Sequence, residues 1–336
     1  MRIGVIGLNH GHIYDMCRAL LDVPGVELAG FAAPEAELAE AFAKRFQVGQ
    51  VEAEQLLADP SVEVICTAAI NGDRAEIAVR ALGAGKHVFT DKPAMTTLSQ
   101  LAEVEAAQQS SGKLFQVYYG ERLGNPFHIA ARELIASGEA GRVVSFAGFG
   151  PHRLRIETRP AWMFNARQYG GILNDIGTHQ FELFSWLTGE RIVEFTSRVG
   201  NFATEQCPEF EDYGDASFTG ERGTAGYAQL HWFSQEGSPV WGDVRQMIVC
   251  TRATIDIRTL YTAGDPTGEP GLFLTTAARE TSRVDVSRID RSWGPQLVEG
   301  FRTGIATLMP QERVFEAARA TLAIQAAATR IPGATR

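Results

Sequence analysis

From residue 1 to about 120, short apolar runs alternate with amphipathic helical stretches, which restricts this part of the chain to repeated βα units around a parallel sheet. The runs Ile3–Leu8, Val26–Ala32, Val62–Ala68, Val88–Thr90 and Leu114–Tyr118 are apolar at nearly every position, as strands covered on both faces must be. Between them the pattern predicts helices from Glu35 to Phe46, opened by Pro34, and from Arg74 to Ala84, closed by Gly85. This half is doubly wound.

After Gly120 the pattern changes. A helix is predicted from Pro126 to Ser137, then a strand from Arg142 to Phe149, an irregular loop rich in arginine and aromatic residues, and a further helix. Residues 191 to 290 read as mostly extended, with period-two alternation in Ala225–Phe233 and Thr254–Leu260. In the first of these, Tyr227, Gln229, His231 and Phe233 share one face, and Ala228, Leu230 and Trp232 the other. Residues 262–271 have the composition of a surface loop, and two helices, Pro295–Leu308 and Gln311–Arg330, finish the chain. This second half is an α+β domain on one large, mostly antiparallel, open-faced sheet.

With 336 residues the chain is long enough for two packed domains, and its net charge of -9 carries no basic block. That composition excludes nucleic acid and an anionic membrane surface as partners, since both need a clustered positive field. Cys17, Cys66, Cys207 and Cys250 form no C-x-x-C pair, so neither a disulfide framework nor a cysteine metal site is expected. Met1-Arg2 leads into an apolar run too short for a signal core. The expected location is cytoplasmic.

The stretch GGILNDIGTHQFELFSWLTG, residues 170–189, places Asp175 and His179 four residues apart at a helix start, on one face. Gly170-Gly171 permits a tight entry, and Leu173, Ile176, Phe181, Leu183 and Leu187 form a separate apolar surface. An acid and a base therefore converge.

The first strand runs into Gly7-Leu8-Asn9-His10-Gly11-His12, where a dinucleotide fold carries G-x-G-x-x-G to bring pyrophosphate onto a helix N-terminus. Only Gly7 keeps its place in that frame. Asn9 stands at the second glycine, where its tolerance of left-handed backbone would serve, and His12 at the third, while Gly11 frees the helix start. At the end of the second strand Ala33 occupies the position of the ribose-binding acid; either Glu35 reaches back or the 2′ position is unguarded. No arginine cluster follows, so the cofactor is NAD or NADP, with NAD preferred. His10 and His12 have no local carboxylate, and no metal is expected. Asp91-Lys92-Pro93 brings a lysine to a strand's C-terminal end, and the Lys92–Pro93 bond is a candidate for the cis form.

Taken together, the glycine loop, Thr90-Asp91-Lys92-Pro93 and Gly170-Gly171 through Asp175, Gly177 and His179 resemble the Gfo/Idh/MocA family of NAD(P)-dependent sugar and polyol dehydrogenases. The segment from Tyr119 to Ala140 is similar to that family's bridging segment. The resemblance implies a Rossmann dinucleotide-binding domain over 1–120 and an α+β substrate-binding and oligomerisation domain over 121–336, associating as a homodimer or homotetramer. It implies that Lys92 contacts nicotinamide and the reacting hydroxyl, that His179 is the acid/base group and that Asp175 is its carboxylate companion. Gly7, Asn9, His10, Gly11, His12, Ala33, Ala68, Asn71, Asp91 and Lys92 are the expected cofactor contacts. Arg122, His152, Arg153, Arg155 and Trp162, with Asp175 and His179, are expected to read a polyhydroxylated substrate through arginine forks and an aromatic platform. Three departures fall at the cofactor end: Asn9, Ala33, and Arg74 in place of the family's histidine. Two alternatives stay open, a lyase or hydrolase that oxidises its sugar transiently with retained NAD, and a sugar-binding homologue without catalysis.

Overall fold

Five parallel strands, β1 (Arg2–Ile6), β2 (Glu27–Ala32), β3 (Val62–Thr67), β4 (His87–Asp91) and β5 (Phe115–Tyr118), form the sheet of the first of two units in a computed structural model. The structure describes residues 1–260 and 268–332; positions 262–267 of the expected surface loop lie outside them. The strand order is β2-β1-β3-β4-β5, so the chain winds to one edge and returns past β1. That reversal makes a crevice at the carboxyl ends of β1 and β3, the place where open α/β sheets bind ligands. Ile3, Val5, Val64, Ile65, Phe89 and Phe115 are fully buried, which is why their strands read as unbroken apolar runs.

The helices of this unit are α1 (His12–Leu21), α2 (Ala36–Phe46), α3 (Ala53–Ala58), α4 (Arg74–Gly83) and α5 (Leu98–Ser111). Thr97 and Gln100 cap α5 reciprocally, and Gly112 ends it at φ +65°. One expectation is corrected here. Pro34 precedes α2 rather than opening it, because Glu35 is extended and serves as the N-cap residue.

The second unit starts with α6 (Gly120–Gly124) and α7 (Pro126–Ala136), the latter capped by Asn125 with Pro126 in its first turn. After β6 (Val143–Pro151) and α8 (Ala166–Tyr169) come α9 (Ile172–Asp175) and α10 (Gly177–Thr188). The strands β7 (Ile192–Gly200), β8 (Tyr213–Gly220), β9 (Ala225–His231), β10 (Arg245–Cys250), β11 (Ala253–Arg258), β12 (Gly271–Thr276) and β13 (Arg279–Arg283) follow. Helices α11 (Trp293–Thr303) and α12 (Gln311–Ala326) precede a last short strand, β14 (Thr329–Arg330). The nine-stranded order is β13-β12-β11-β10-β6-β9-β8-β7-β14, antiparallel except for the β6/β9 and β7/β14 pairs.

One face of this sheet carries the unit's core. Ala228 and Leu230 on β9, Ile248 on β10, and Ile255 and Ile257 on β11 are fully buried under α7, α9 and α10. The alternate residues Tyr227, Gln229, His231 and Met247 remain partly or largely exposed, so the sheet is open-faced. Trp232 is buried and Trp241 is exposed.

Residues 167–170 and 292–319 belong to the first unit, although the sequence placed them after its end. The reason is local packing. Trp293 stacks near Phe89 and Tyr118, Phe301 lies on His87, and Gly294 lets α11 approach α1 so closely that a Cβ there would sit 2.1 Å from the Ala19 carbonyl oxygen.

Candidate active site

In the first unit, β1 delivers Gly7 at φ +85°, and a Cβ on it would lie 2.4 Å from that of Ala69. Backbone bonds join Gly7 N to Ala32 O (2.9 Å), Ala68 N to Gly7 O (3.2 Å) and His10 N to Ala68 O (3.0 Å). The loop is thus stitched to the ends of β2 and β3. Ala68 is wholly buried in this stitching. At Gly11, the N-cap of α1, an added Cβ would meet nothing within 4 Å. That open helix start is the space a phosphate group needs.

Asn9 does not take the left-handed conformation expected of it. Its side chain acts instead, donating from Nδ2 to Glu35 Oε1 at 2.6 Å. The other carboxylate oxygen, Glu35 Oε2, is buried with no hydrogen-bond partner. Such an orphaned acceptor suits a hydroxyl donor from a ligand. Ala33, by contrast, is buried and its carbonyl accepts from Gln50 at 2.7 Å. Two features of this loop therefore fit a bound dinucleotide: the uncovered helix N-terminus and the unmet carboxylate beside it.

Asp91, at the end of β4, is fully buried and gathers four donors. Its Oδ1 accepts from Lys92 N (2.8 Å) and His12 Nδ1 (2.8 Å), and its Oδ2 from Arg74 (3.3 Å) and His10 Nδ1 (3.0 Å). Burial works against the charge, yet His10, His12 and Arg74 outweigh it and hold Asp91 well below the usual carboxylate range. An ionised Asp91 only accepts, so each imidazole presents its Nδ1–H to it. His10 lies below the ordinary histidine range, because burial outweighs the pull of Asp91.

The sequence offered no carboxylate near His10 and His12, but the fold supplies one from β4, and the three groups place ligand-type atoms within 4.8 Å of one another. Arg74 already supplies positive charge there. This fully buried guanidinium also donates to Ala69 O (2.8 Å) and Pro93 O (2.9 Å), tying the turn after β3 to the cis Lys92–Pro93 turn. Asn71 is buried and donates to Tyr169 O at 3.0 Å. Lys92 is buried to 6% exposure at the same strand end.

In the second unit, Asp175 and His179 do not share one continuous helix. Asp175 ends α9, His179 lies in the first turn of α10, and Ile176 joins them with near-helical backbone. The joint preserves their common side: from 171 to 184 every residue is buried except Asp175 and His179. The start of α9 is held by side chains. Ile172 N donates to Glu211 (2.9 Å), and Leu173 N and Asn174 N donate to Gln325 Oε1 (2.9 and 3.2 Å). Gly170 and Gly171 both have positive φ, and a Cβ on Gly171 would fall 2.3 Å from the Gln325 amide carbon.

Beside this helix lies a buried polar array that the sequence did not reveal. His128 Nε2 faces Gln246 Oε1 at 2.8 Å, and its Nδ1 faces the Glu121 carbonyl at 3.0 Å and carboxylate at 3.3 Å. Gln246 donates onward to Gln180 Oε1 at 3.2 Å. Both ring nitrogens therefore meet acceptors, which calls for an imidazolium. In agreement, His128 is raised above the usual histidine value by Glu121 despite its burial, and Glu121 is brought down to about 2 against its own burial by His128, His179 and Asn125.

The residues expected to read substrate divide. Arg122 pairs with Glu182 at 2.8 Å and lies over Trp186, and Arg153 Nη2 serves the carbonyls of Gln235, Ser238 and Val240, so both hold the fold. His152 packs edge-on against Trp232 and Trp241. Arg155, at φ +46°, pairs with exposed Glu236, and Trp162 is half-buried.

Comparison with known proteins agrees with this architecture. Residues 1–119 match the model of an oxidoreductase family with an NAD-binding Rossmann fold, and residues 128–256 match the GFO/IDH/MocA C-terminal domain. The crystal structure of a putative oxidoreductase from Erwinia carotovora atroseptica SCRI1043 is 39% identical, with a TM-score of 0.93 over 98% of this chain and 99% of that one. The scyllo-inositol 2-dehydrogenase (NAD(+)) of Bacillus subtilis is 25% identical over 77% of this chain and 74% of its own. A D-xylose dehydrogenase of Paenarthrobacter nicotinovorans is 29% identical over 43% of this chain and 39% of its own.

Proposed function

Because the chain belongs to the Gfo/Idh/MocA family of oxidoreductases, we propose that it oxidises a secondary hydroxyl of a sugar, inositol or related polyol, or reduces the corresponding ketone, with NAD as cofactor. The observation that carries this reading is the run from 171 to 184, buried everywhere except at Asp175 and His179. An acid and an imidazole left partly exposed in an otherwise sealed segment are the groups there that a ligand can reach, which supports this reading. When bound, the nicotinamide supplies the hydride acceptor.

The remaining work falls to the chain. Gly7, Gly11 and the start of α1 would hold the pyrophosphate, and Glu35 with Asn9 the adenosine ribose. His179 takes the hydroxyl proton, as suits a group whose unperturbed value lies near neutrality. Asp175 engages the substrate beside it. The Lys92 ammonium stabilises the alkoxide that forms as the proton leaves. His152, Arg155 and Trp162 stay in the proposal as substrate contacts. The preference for NAD rests on Glu35, whose unmet oxygen would accept from ribose hydroxyls and repel a 2′-phosphate.

The test is a calorimetric titration with NAD+ and NADP+, followed by a sugar and polyol panel scored by nicotinamide absorbance. His179→Ala and Lys92→Ala should each lower turnover at least about a hundredfold. Full turnover in both variants would refute the assignment. The half-exposed sheet face bearing Tyr227, Gln229 and Met247 supports pairing of subunits there, and a strictly monomeric mass by sedimentation at micromolar concentration would reject it. Among the described residues no helix is long and apolar enough to cross a membrane. With Cys17, Cys66 and Cys250 free and buried, the proposed setting is the reducing cytoplasm.

A further inference from the structure

We infer that Glu121 is a positioning residue for His179: a partly buried carboxylate whose charge favours the protonated form of the imidazole, and which is itself anchored by His128. The inference rests on the reading of His179 as the acid/base group.

Several contacts place Glu121 there. It lies on α6, which packs against both α7 and α10. The next residue, Arg122, reaches Glu182 on α10 at 2.8 Å. Glu182 is three residues beyond His179, one helical turn along the same side. The clamp between Arg122 and Glu182 therefore brings the preceding residue of α6 alongside the turn that carries His179. His179 is among the groups whose charge acts on the Glu121 carboxylate.

From behind, Glu121 is fixed by α7. Asn125 donates to its Oε2 at 3.0 Å, and His128 Nδ1 stands 3.3 Å from the same oxygen. His128 is completely buried and is held at its other nitrogen by Gln246 on β10. A partly buried carboxylate is helped by such partners to stay ionised. The charged and titratable groups of this neighbourhood are Glu121 and Arg122 on α6, His128 and Arg132 on α7, Asp175 on α9, and His179 and Glu182 on α10. Of these, Arg122 and Glu182 satisfy each other, and His128 is directed to Glu121. The carboxylate edge of Glu121 is then the fixed negative charge that α6 contributes to His179.

The chain's own chemistry gives the device a purpose. When His179 takes the hydroxyl proton it becomes an imidazolium. A carboxylate already ionised and immobile stabilises that cation without having to reorganise.

The test is the titration of the His179 imidazole, followed by NMR in the full-length protein and assigned with His179→Asn. In Glu121→Gln, with fold verified by circular dichroism, the His179 midpoint should fall by about 1 pH unit. Glu121→Asp, which retains the charge, should restore most of that difference. A midpoint unmoved in folded Glu121→Gln overturns the inference. If that variant fails to fold, the unaltered protein decides: the side-chain carboxyl resonance of Glu121 should show an inflection at the His179 midpoint, and its absence overturns the inference equally. Turnover supplies a separate arm, with kcat falling in Glu121→Gln at nearly constant KM. Full activity of His179→Ala would instead defeat the catalytic reading, while the titration would still report whether the two groups are coupled.

Discussion

Asn9 donates its side-chain amide to Glu35 at 2.6 Å, joining the glycine loop to the first residue beyond the Pro34 turn. A carboxylate thus stands two residues beyond Ala33, the position at which the dinucleotide fold expects one, and half of it is left without a donor. A charge-assisted hydrogen bond is worth about 1.5 to 3 kcal/mol. Glu35→Gln should accordingly weaken NAD+ binding about tenfold or more while improving that of NADP+, as read by calorimetry. Equal affinities for the two cofactors in the unaltered protein would reject the role given to Glu35.

Arg74 replaces a histidine of the family pattern, and its burial explains what the exchange does. One guanidinium serves Ala69 O, Pro93 O and Asp91, fixing the turn that presents Lys92. Arg74→Met would leave Asp91 short of a buried cation and two carbonyls short of a donor, at a cost of about 3 to 5 kcal/mol. Arg74→Lys should recover little, because an ammonium cannot reproduce the planar fork. Urea unfolding of both variants measures the difference, and a loss under about 1 kcal/mol in Arg74→Met would show that the cluster tolerates a missing cation.

How much of this was legible beforehand depends on how local each signal is. The five parallel strands were readable because residues such as Val64 and Phe89 are buried on both faces and leave unbroken apolar runs. The alternation in β9 announced its sheet face because only one side of that strand is buried. Asp175 and His179 were readable by spacing, but not the break at Ile176, since near-helical torsions leave the four-residue spacing intact. What stayed hidden needed partners far along the chain. Asp91 lies 79 residues from His12, and Gln246 lies 118 residues from His128. No periodicity links such pairs, and Arg74 and Glu121 carry no motif by which to recognise their roles.

Gly171 offers a test of how the entry to α9 is built. Its φ of +88° and the 2.3 Å approach to Gln325 leave no room for a Cβ. In Gly171→Ala the Gln325 amide must move, exposing the Leu173 and Asn174 amides at the start of α9 as unpaired donors. Backbone strain and lost capping together should destabilise by about 2 to 4 kcal/mol. Gln325→Ala removes the cap without the strain and should cost less than Gly171→Ala by thermal unfolding. Equal losses would assign the whole effect to capping.

His87 gives the fold a definable response to acid. Its Nδ1 accepts the Leu114 N–H at 2.9 Å, so protonation breaks that bond, and burial followed by the charge of Lys113 pushes the imidazole down to about 4. In the unfolded chain the same group titrates near its ordinary value of about 6.5. Between these values the unfolded chain binds more protons than the folded one, so stability is complete above about pH 6.5 and falls as pH drops toward 4. With solvent screening discounted, the contribution is on the order of 1 to 2 kcal/mol. Asp91 and Glu121, held low in the fold, lose their contributions only below the ordinary carboxylate range. His128, held high, has the opposite sign, since its contribution is present below about 6.5 and fades as pH rises through its folded value. The clean measurement is thus a difference between unaltered protein and His87→Gln in urea unfolding at pH 7 and pH 5. The variant should lose less stability over that interval, and identical losses would remove His87 as the source.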